Sequence, residues 1–346
     1  MAKLSASSLL ELVFVSSPSI QAGGARALAV QTHIHVPDQS EDASTHEAVD
    51  APEYHSQVYL YTLASDDAPV QLTHNGTRNM LPAFSPDGSR IAFLSNRPSS
   101  VSQGASGQGG GVMQLCVMPA TGGEAEVISQ FERGVSSFVW HPDSERIALV
   151  SRGDTLESST DSPKVITNKR YKWDGQGLLP EVGPNIYLAN ITKASISALV
   201  KPTSDPSGLT FSEDGKSLYY IAAADAAAED MWHKSVWKVS LAKKSRKEVL
   251  AGALVQTITL TAGEDDLYYV APSEPDNFAS PTGLWHLALT KSAKKRQPNC
   301  MSAELEVVPS VGGDCAYGHY ANTPAHVAGG LLINLNRAGH SGLALV

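Results

Sequence analysis

Cysteine is scarce in this chain. Cys116, Cys300 and Cys315 are the 3 in 346 residues, an odd number with no CxxC spacing. That count argues against a disulfide framework and a thiolate zinc site, and it fits a reducing compartment. Long apolar runs are missing as well. Glu11 interrupts the N-terminal "SLLELVFV", no small-residue cleavage site follows it cleanly, and the stretch reads as an amphipathic segment. No window reaches the ~18 apolar residues of a membrane span. Basic residues are in the minority, 26 Lys and Arg against 35 Asp and Glu, for a net charge of −9. That balance disfavours phosphate backbones as partners. The two basic clusters, at 243–247 and 294–296, are short and sit between strand candidates, as solvated hairpin tips do. The expectation is a cytoplasmic protein that binds neither nucleic acid nor membrane, with no cofactor and no metal.

Turn chemistry, by contrast, is abundant, with 28 Gly and 20 Pro among residues that are 42% hydrophobic. "LPAFSPDGSRIAFLSNR" at 81–97 sets a Pro-Asp-Gly turn between two short apolar runs. Pro86 fixes φ, Asp87 bonds locally and Gly88 accepts the left-handed conformation of a hairpin bulge. Pro82, Phe84, Ile91 and Phe93 read as inward positions at a period of two. The same hairpin returns in "FVWHPDSERIALVSRGD" (138–154) and "LTFSEDGKSLYYIAA" (209–223), with fainter copies turning at Gly23-Gly24, Gly263 and Gly329-Gly330. Turn-to-turn spacings run from 49 (Asp214 to Gly263) to 71 (Asp143 to Asp214), too uneven for a uniform solenoid.

Each hairpin is followed by a second pair of strand signals, and Tyr59, Leu115, Tyr187, Trp237 and Trp285 fall in the third strand of successive units. Four strands per repeat with inserted connections describe an all-β fold, a β-propeller of about six blades behind a short N-terminal helix. Residues 1–346 read as one propeller domain with blades starting near 16, 80, 136, 207, 256 and 323, the sixth showing no fourth strand. Residues 37–56 and 99–111 are polar loops. Residues 153–185 differ, because a solvated loop rarely places Arg170, Tyr171 and Trp173 so close together.

The combination of "FSPDGSRIAFLSNR", "HPD…RIALVSR" and "RYKWDGQG…IYL" (170–188) resembles the propeller of the prolyl oligopeptidase family of serine peptidases. The likeness is greatest to the acylaminoacyl-peptidase and dipeptidyl-aminopeptidase-like branch, and it spans about residues 8–346. The blades also look TolB-like. The resemblance implies a propeller capping a C-terminal α/β-hydrolase domain that carries a Ser-Asp-His triad, and admitting short peptides to it. A nucleophile elbow needs Gly-x-Ser-x-Gly on a strand-to-helix turn. The nearest string, "GHSGLALV", has Leu343 in place of the second Gly and reads as the turn between the second and third strands of the last blade. The hydrolase domain is therefore expected to lie outside this chain.

Candidate site residues follow from the same comparison. Arg170, Tyr171, Trp173 and Asp174 could meet a peptide carboxylate or carbonyl at the substrate entrance, or could form a domain contact or a buried Arg–Asp pair. Arg337, in "LLINLNRAGHSG", could face the hydrolase domain. Glu229 and Asp230 invite comparison with acidic residues that bind a substrate's free amine, against the plainer reading of a solvated loop. His33 and His35 share a strand face, as metal ligands can, but no third ligand is apparent nearby. Two functions stand in view: a gating propeller of a serine peptidase, its oligomeric state open, or a stand-alone TolB-like propeller serving as a protein-interaction platform.

Overall fold

The computed structural model describes residues 5–36, 52–98, 111–152, 165, 171–173, 177–178, 183–202, 204–224, 234–274, 277, 280–290, 292, 295–302, 323–327, 329–337 and 340–346. A 3-10 helix, Ala6–Glu11, precedes the strands. The first sheet holds β1 (Val13–Ile20), β2 (Arg26–His35), β3 (Glu53–Thr62) and β4 (Val70–Gln71). The second holds β5 (Asn79–Phe84), β6 (Arg90–Ser95), β7 (Gln114–Pro119) and β8 (Glu126–Val127). β9 (Val135–Trp140) and β10 (Arg146–Ser151) open the third. Between β10 and the rest of that sheet lies a two-stranded hairpin, β11 (Lys172–Trp173) with β12 (Gly177–Leu178). The third sheet resumes with β13 (Asn185–Asn190) and β14 (Ser195–Val200).

The fourth sheet comprises β15 (Ser207–Phe211), β16 (Ser217–Ala223), β17 (Lys234–Ser240) and β18 (Arg246–Ala253). The fifth comprises β19 (Thr257–Leu260), β20 (Asp266–Pro272), β21 (Thr282–Ala288) and β22 (Asn299–Cys300). β23 (Ala325–Val327), β24 (Gly330–Arg337) and β25 (His340–Leu345) make a three-stranded sixth sheet. In each of the six sheets every strand pairs with its neighbour in sequence, apart from the inserted hairpin. This is an all-β propeller, built of blades as the repeats implied. The chain divides into two compact units, Met1–Ser137 and Phe138–Val346, with the division inside β9.

One turn geometry is used five times. Ser85 N–H donates to Arg90 O and Gly88 N–H to Ser85 O, at 2.9 and 2.8 Å. Gln21/Arg26, His141/Arg146, Ser212/Ser217 and Thr261/Asp266 close their hairpins with the same pair of bonds. The left-handed position falls on Gly24, Gly88, Ser144, Gly215 and Glu264, all with positive φ. Asp87 completes the turn by accepting the Ser89 N–H at 3.0 Å, and Asp214 does the same for Lys216 at 2.9 Å. The sixth hairpin is different: Val327 pairs directly with Gly330 across a tighter turn.

The residue two before the turn Asp does one of two jobs. In the second and fourth sheets it is a serine that stays at home: Ser85 and Ser212 bond their own hairpins at Arg90 and Ser217. In the first and third it is long and reaches the next blade. Gln21 Nε2 donates to Gly88 O at 3.1 Å, and His141 Nε2 donates to Gly215 O at 2.8 Å. These contacts explain the two glycines twice over. Beyond the positive φ, a Cβ on Gly88 would lie 2.5 Å from Gln21 Nε2, and one on Gly215 2.4 Å from His141 Cε1.

The first strands of three blades carry a further repeat. Six residues before the turn Asp position, Ser17, Leu81 and Gly208 adopt positive φ, and the registers of β1, β5 and β15 shift there. These are β-bulges, which bend a strand and raise its twist.

Packing explains why the second strands read as unbroken apolar runs. β16 is buried at all 7 positions because one face meets the third sheet and the other the fifth. Tyr220 packs with Ala148, Val150 and Ile186, while its neighbour Tyr219 packs with Val255, Ile258 and Leu267. The period of two expected around Ile91 and Phe93 holds in β5 but not in β6, where Ala92 and Leu94 are buried too. Strands covered on both faces lose alternation.

Leu115 lies in the third strand of its blade as expected, and register fixes which position in each third strand is equivalent. Six residues after each turn position stand Ala29, Phe93, Leu149, Tyr220 and Tyr269, and they pair with Tyr59, Cys116, Tyr187, Trp237 and Trp285. Cys116, not Leu115, is the equivalent in the second blade. It is buried beneath Phe93, and burial pushes its thiol up to about 11 against the opposing pull of Arg97. Among the described cysteines, Cys116 and Cys300 are free.

Candidate functional site

The sequence directed attention to the insertion of the third blade. Lys172 pairs with Leu178 and Trp173 with Gly177, so the segment contains a short β-ribbon. Tyr171 enters that ribbon with its side chain 45% exposed. Such a tyrosine offers an aromatic face and a hydroxyl to a ligand or a second domain. Arg170 and Asp174 lie outside the described residues, as do Glu229 and Asp230. Arg337 is placed by its backbone: it ends β24, opposite His340. Ser341 pairs with Asn336 in the same ladder, so His340, Ser341 and Gly342 lie along a strand rather than on the strand-to-helix elbow that a nucleophile requires.

A second cluster emerges only when the strands are paired. His33 and His35, two apart on β2, project to one face. β3 brings His55 opposite His33 and Glu53 opposite His35. The His35 and His55 rings stack with centroids 4.6 Å apart, and His33 meets His55 edge-on at 5.8 Å. Burial and the neighbouring charges of His35 and His33 hold His55 below its ordinary value, only partly offset by Glu53. Among the described residues no group of three or more His, Cys, Asp or Glu is arranged to hold a metal ion. The missing third histidine of the sequence reading was His55, twenty residues downstream of His35 but adjacent in register.

One ion pair joins the fourth and fifth sheets. Lys238 Nζ donates to Glu264 Oε2 at 2.5 Å, and the Tyr219 hydroxyl donates to the same oxygen at 2.6 Å. Lys238 also lies 5.2 Å from the Tyr219 ring centroid. Burial raises the Glu264 carboxyl, but the bonds from Lys238 and Tyr219 outweigh it and leave the group below its usual range. Glu264 occupies the left-handed turn position, where Gly263 had been read as the turn residue. The ion pair gives a non-glycine residue a reason to sit there. This network ties the fourth sheet to the fifth through Glu264.

Set beside known proteins, the propeller fold is that of peptidase propellers. Pyrococcus horikoshii acylaminoacyl peptidase superposes with a TM-score of 0.65 at 13% identity, covering 97% of this chain and 45% of that one. The β-propeller domain of the Trilobed protease from Pyrococcus furiosus, described as having an open velcro topology, superposes at 0.55 with 10% identity, covering 96% and 81%. In sequence, the chain is 27% identical over 228 residues to "Uncharacterized peptidase YuxL" of Bacillus subtilis (strain 168), 63% of this chain and 31% of that protein. No family model matches the sequence. The chain thus spans about a third of its curated relative and under half of the acylaminoacyl peptidase. No helix among the described residues is long and apolar enough to cross a membrane.

Proposed function

We propose that this propeller is the non-catalytic gate of a serine exopeptidase or oligopeptidase of the acylaminoacyl-peptidase and dipeptidyl-aminopeptidase type. In this reading the whole chain is one propeller domain and acts in the cytoplasm. It covers an α/β-hydrolase domain of the same polypeptide, which supplies the serine, acid and histidine from beyond residue 346. Short peptides pass it and folded proteins do not. The observation that carries the proposal is an apolar surface at the N-terminus. Leu9, Leu10, Leu12, Val13 and Val15 are all exposed, Leu9 to 61% and Val15 to 63%. Five large aliphatic side chains within seven residues mark a surface built to be covered. The YuxL peptidase and the acylaminoacyl peptidase, both more than twice as long as the part matched by this chain, supply the kind of domain that would cover it. Tyr171, and with it Arg170, Trp173, Asp174 and Arg337, would then lie at the entrance or the domain contact. Glu229 and Asp230 would be available to a substrate amine.

The test is to read the gene past the codon for Val346 and assay the product. An open frame of about 250 codons, the size of a large α/β domain, with Gly-x-Ser-x-Gly and a later Asp and His is expected. The longer protein should cleave short acylated or free peptides and spare folded proteins, while residues 1–346 alone should cleave neither. A stop codon at that point would overturn the gating role and leave an interaction propeller.

A further inference from the structure

The three imidazoles on the first sheet have a consequence independent of any peptidase role. His33↔His55, Ile34↔Tyr54 and His35↔Glu53 are the last three rungs of the β2–β3 ladder. Two of the three rungs therefore carry histidine, and both put it on the same face. We infer that this end of the ladder is a proton-operated clasp: neutral imidazoles stack and hold the rungs closed, and protonated ones repel and let them open.

Distance makes the repulsion effective. His55 lies between the other two, within 4.6 Å of one ring and 5.8 Å of the other. At such separations two like charges at a protein surface repel, enough to bias the end of a two-stranded ladder but not to unfold a sheet. Among the described residues of β3 the carboxylate facing the cluster is Glu53, which favours charge on His55 less than burial and the two histidines oppose it. β1 places apolar Val13 opposite His33. The 3-10 helix packed on β2 carries Glu11, and Arg78, immediately before β5, directs its guanidinium to Met80 Sδ.

The direction of the pH effect follows. His55 titrates lower in the closed ladder than its ordinary 6.5, so the open form takes up the proton first. Closure is complete above that value and weakens as pH falls through it. The clasp belongs to the pH range in which histidine is the natural switch.

Hydrogen exchange on the whole chain tests this. Protection of the amides at 33–35 and 53–55 is compared at about pH 7.5 and about pH 5.5, after division by the intrinsic exchange rates. The middle rungs around Ala29↔Tyr59 serve as the internal reference. Protection at the ladder end should fall measurably relative to that reference at the lower pH. In His55→Gln the relative fall should vanish while protection at the higher pH is kept. If that variant does not fold, His35→Gln, on an exposed side chain, makes the same comparison. An equal fall at both ends of the ladder, or a relative fall that survives in the variant that folds, would overturn the clasp.

Discussion

Gly215 and His141 show how one residue can be fixed by two demands. Its φ of +67° alone excludes most side chains, and His141 occupies the space that a Cβ would need. The two costs are separable. Gly215→Ala should destabilise by the left-handed strain it introduces, about 1–2 kcal/mol, plus the expense of displacing an imidazole from its bond to the Gly215 carbonyl. In a His141→Ala background the second cost disappears, so the same glycine substitution should destabilise less. A double-mutant cycle by chemical denaturation reads the difference, and strictly additive losses would show that the ring and the glycine are not in conflict. The glycine was legible from "SEDG", because turn chemistry is local. The histidine's reach was not, since it depends on which hairpin lies beside it. Cys116 and His55 were missed for a related reason: a shift of one residue changes the face of every side chain, and register is set by pairing rather than by the strand's own composition.

At the scale of the element, hairpins were the readable unit and their neighbours were not. Five turns with the same two backbone bonds arise from five different strings, and two of them manage without glycine at the left-handed position. Ser144 and Glu264 stand there instead, and for Glu264 the compensation is visible in Lys238 and Tyr219. That compensation should be pH-dependent. Glu264 is held below its ordinary 4.5, so the unfolded chain takes up its proton first, and the stabilisation present above that value is lost as pH falls through the folded-state value. Urea midpoints measured from about pH 6 to about pH 3 should fall less steeply in Glu264→Gln than in the parent, with the variant already weaker at the upper end. An unchanged slope would mean that the charge on Glu264 contributes nothing. The candidate residues of the third insertion were readable only as an aromatic-rich string. The ribbon of Lys172 and Trp173 with Gly177 and Leu178 adds a local frame for them, and Tyr171 is the one whose side chain is shown to meet solvent.

For the molecule as a whole, the repeat made the propeller legible, whereas the proposed covering domain turns on surface the sequence could only hint at. "SLLELVFV" reads as amphipathic, and the structure shows the apolar side bare. β1 alternates Val13 and Val15 outward with Phe14 half-buried, so the outward face of a strand at the sheet's edge is aliphatic. The 3-10 helix adds Leu9 and Leu10 just before it. Edge strands of this kind invite pairing with other chains unless charge or cover prevents it. Residues 1–346 alone should therefore self-associate, and the association should strengthen with added sulfate, which favours apolar burial. Changing Leu9, Leu12 and Val15 together to Lys should render the chain monomeric in sedimentation velocity at unchanged thermal stability, because none of the three is buried. A longer polypeptide with its own covering domain should be monomeric without the changes. If residues 1–346 already sediment as a monomer at high concentration, the bare aliphatic face is tolerated as it stands, and the chief physical ground for a covering domain is gone.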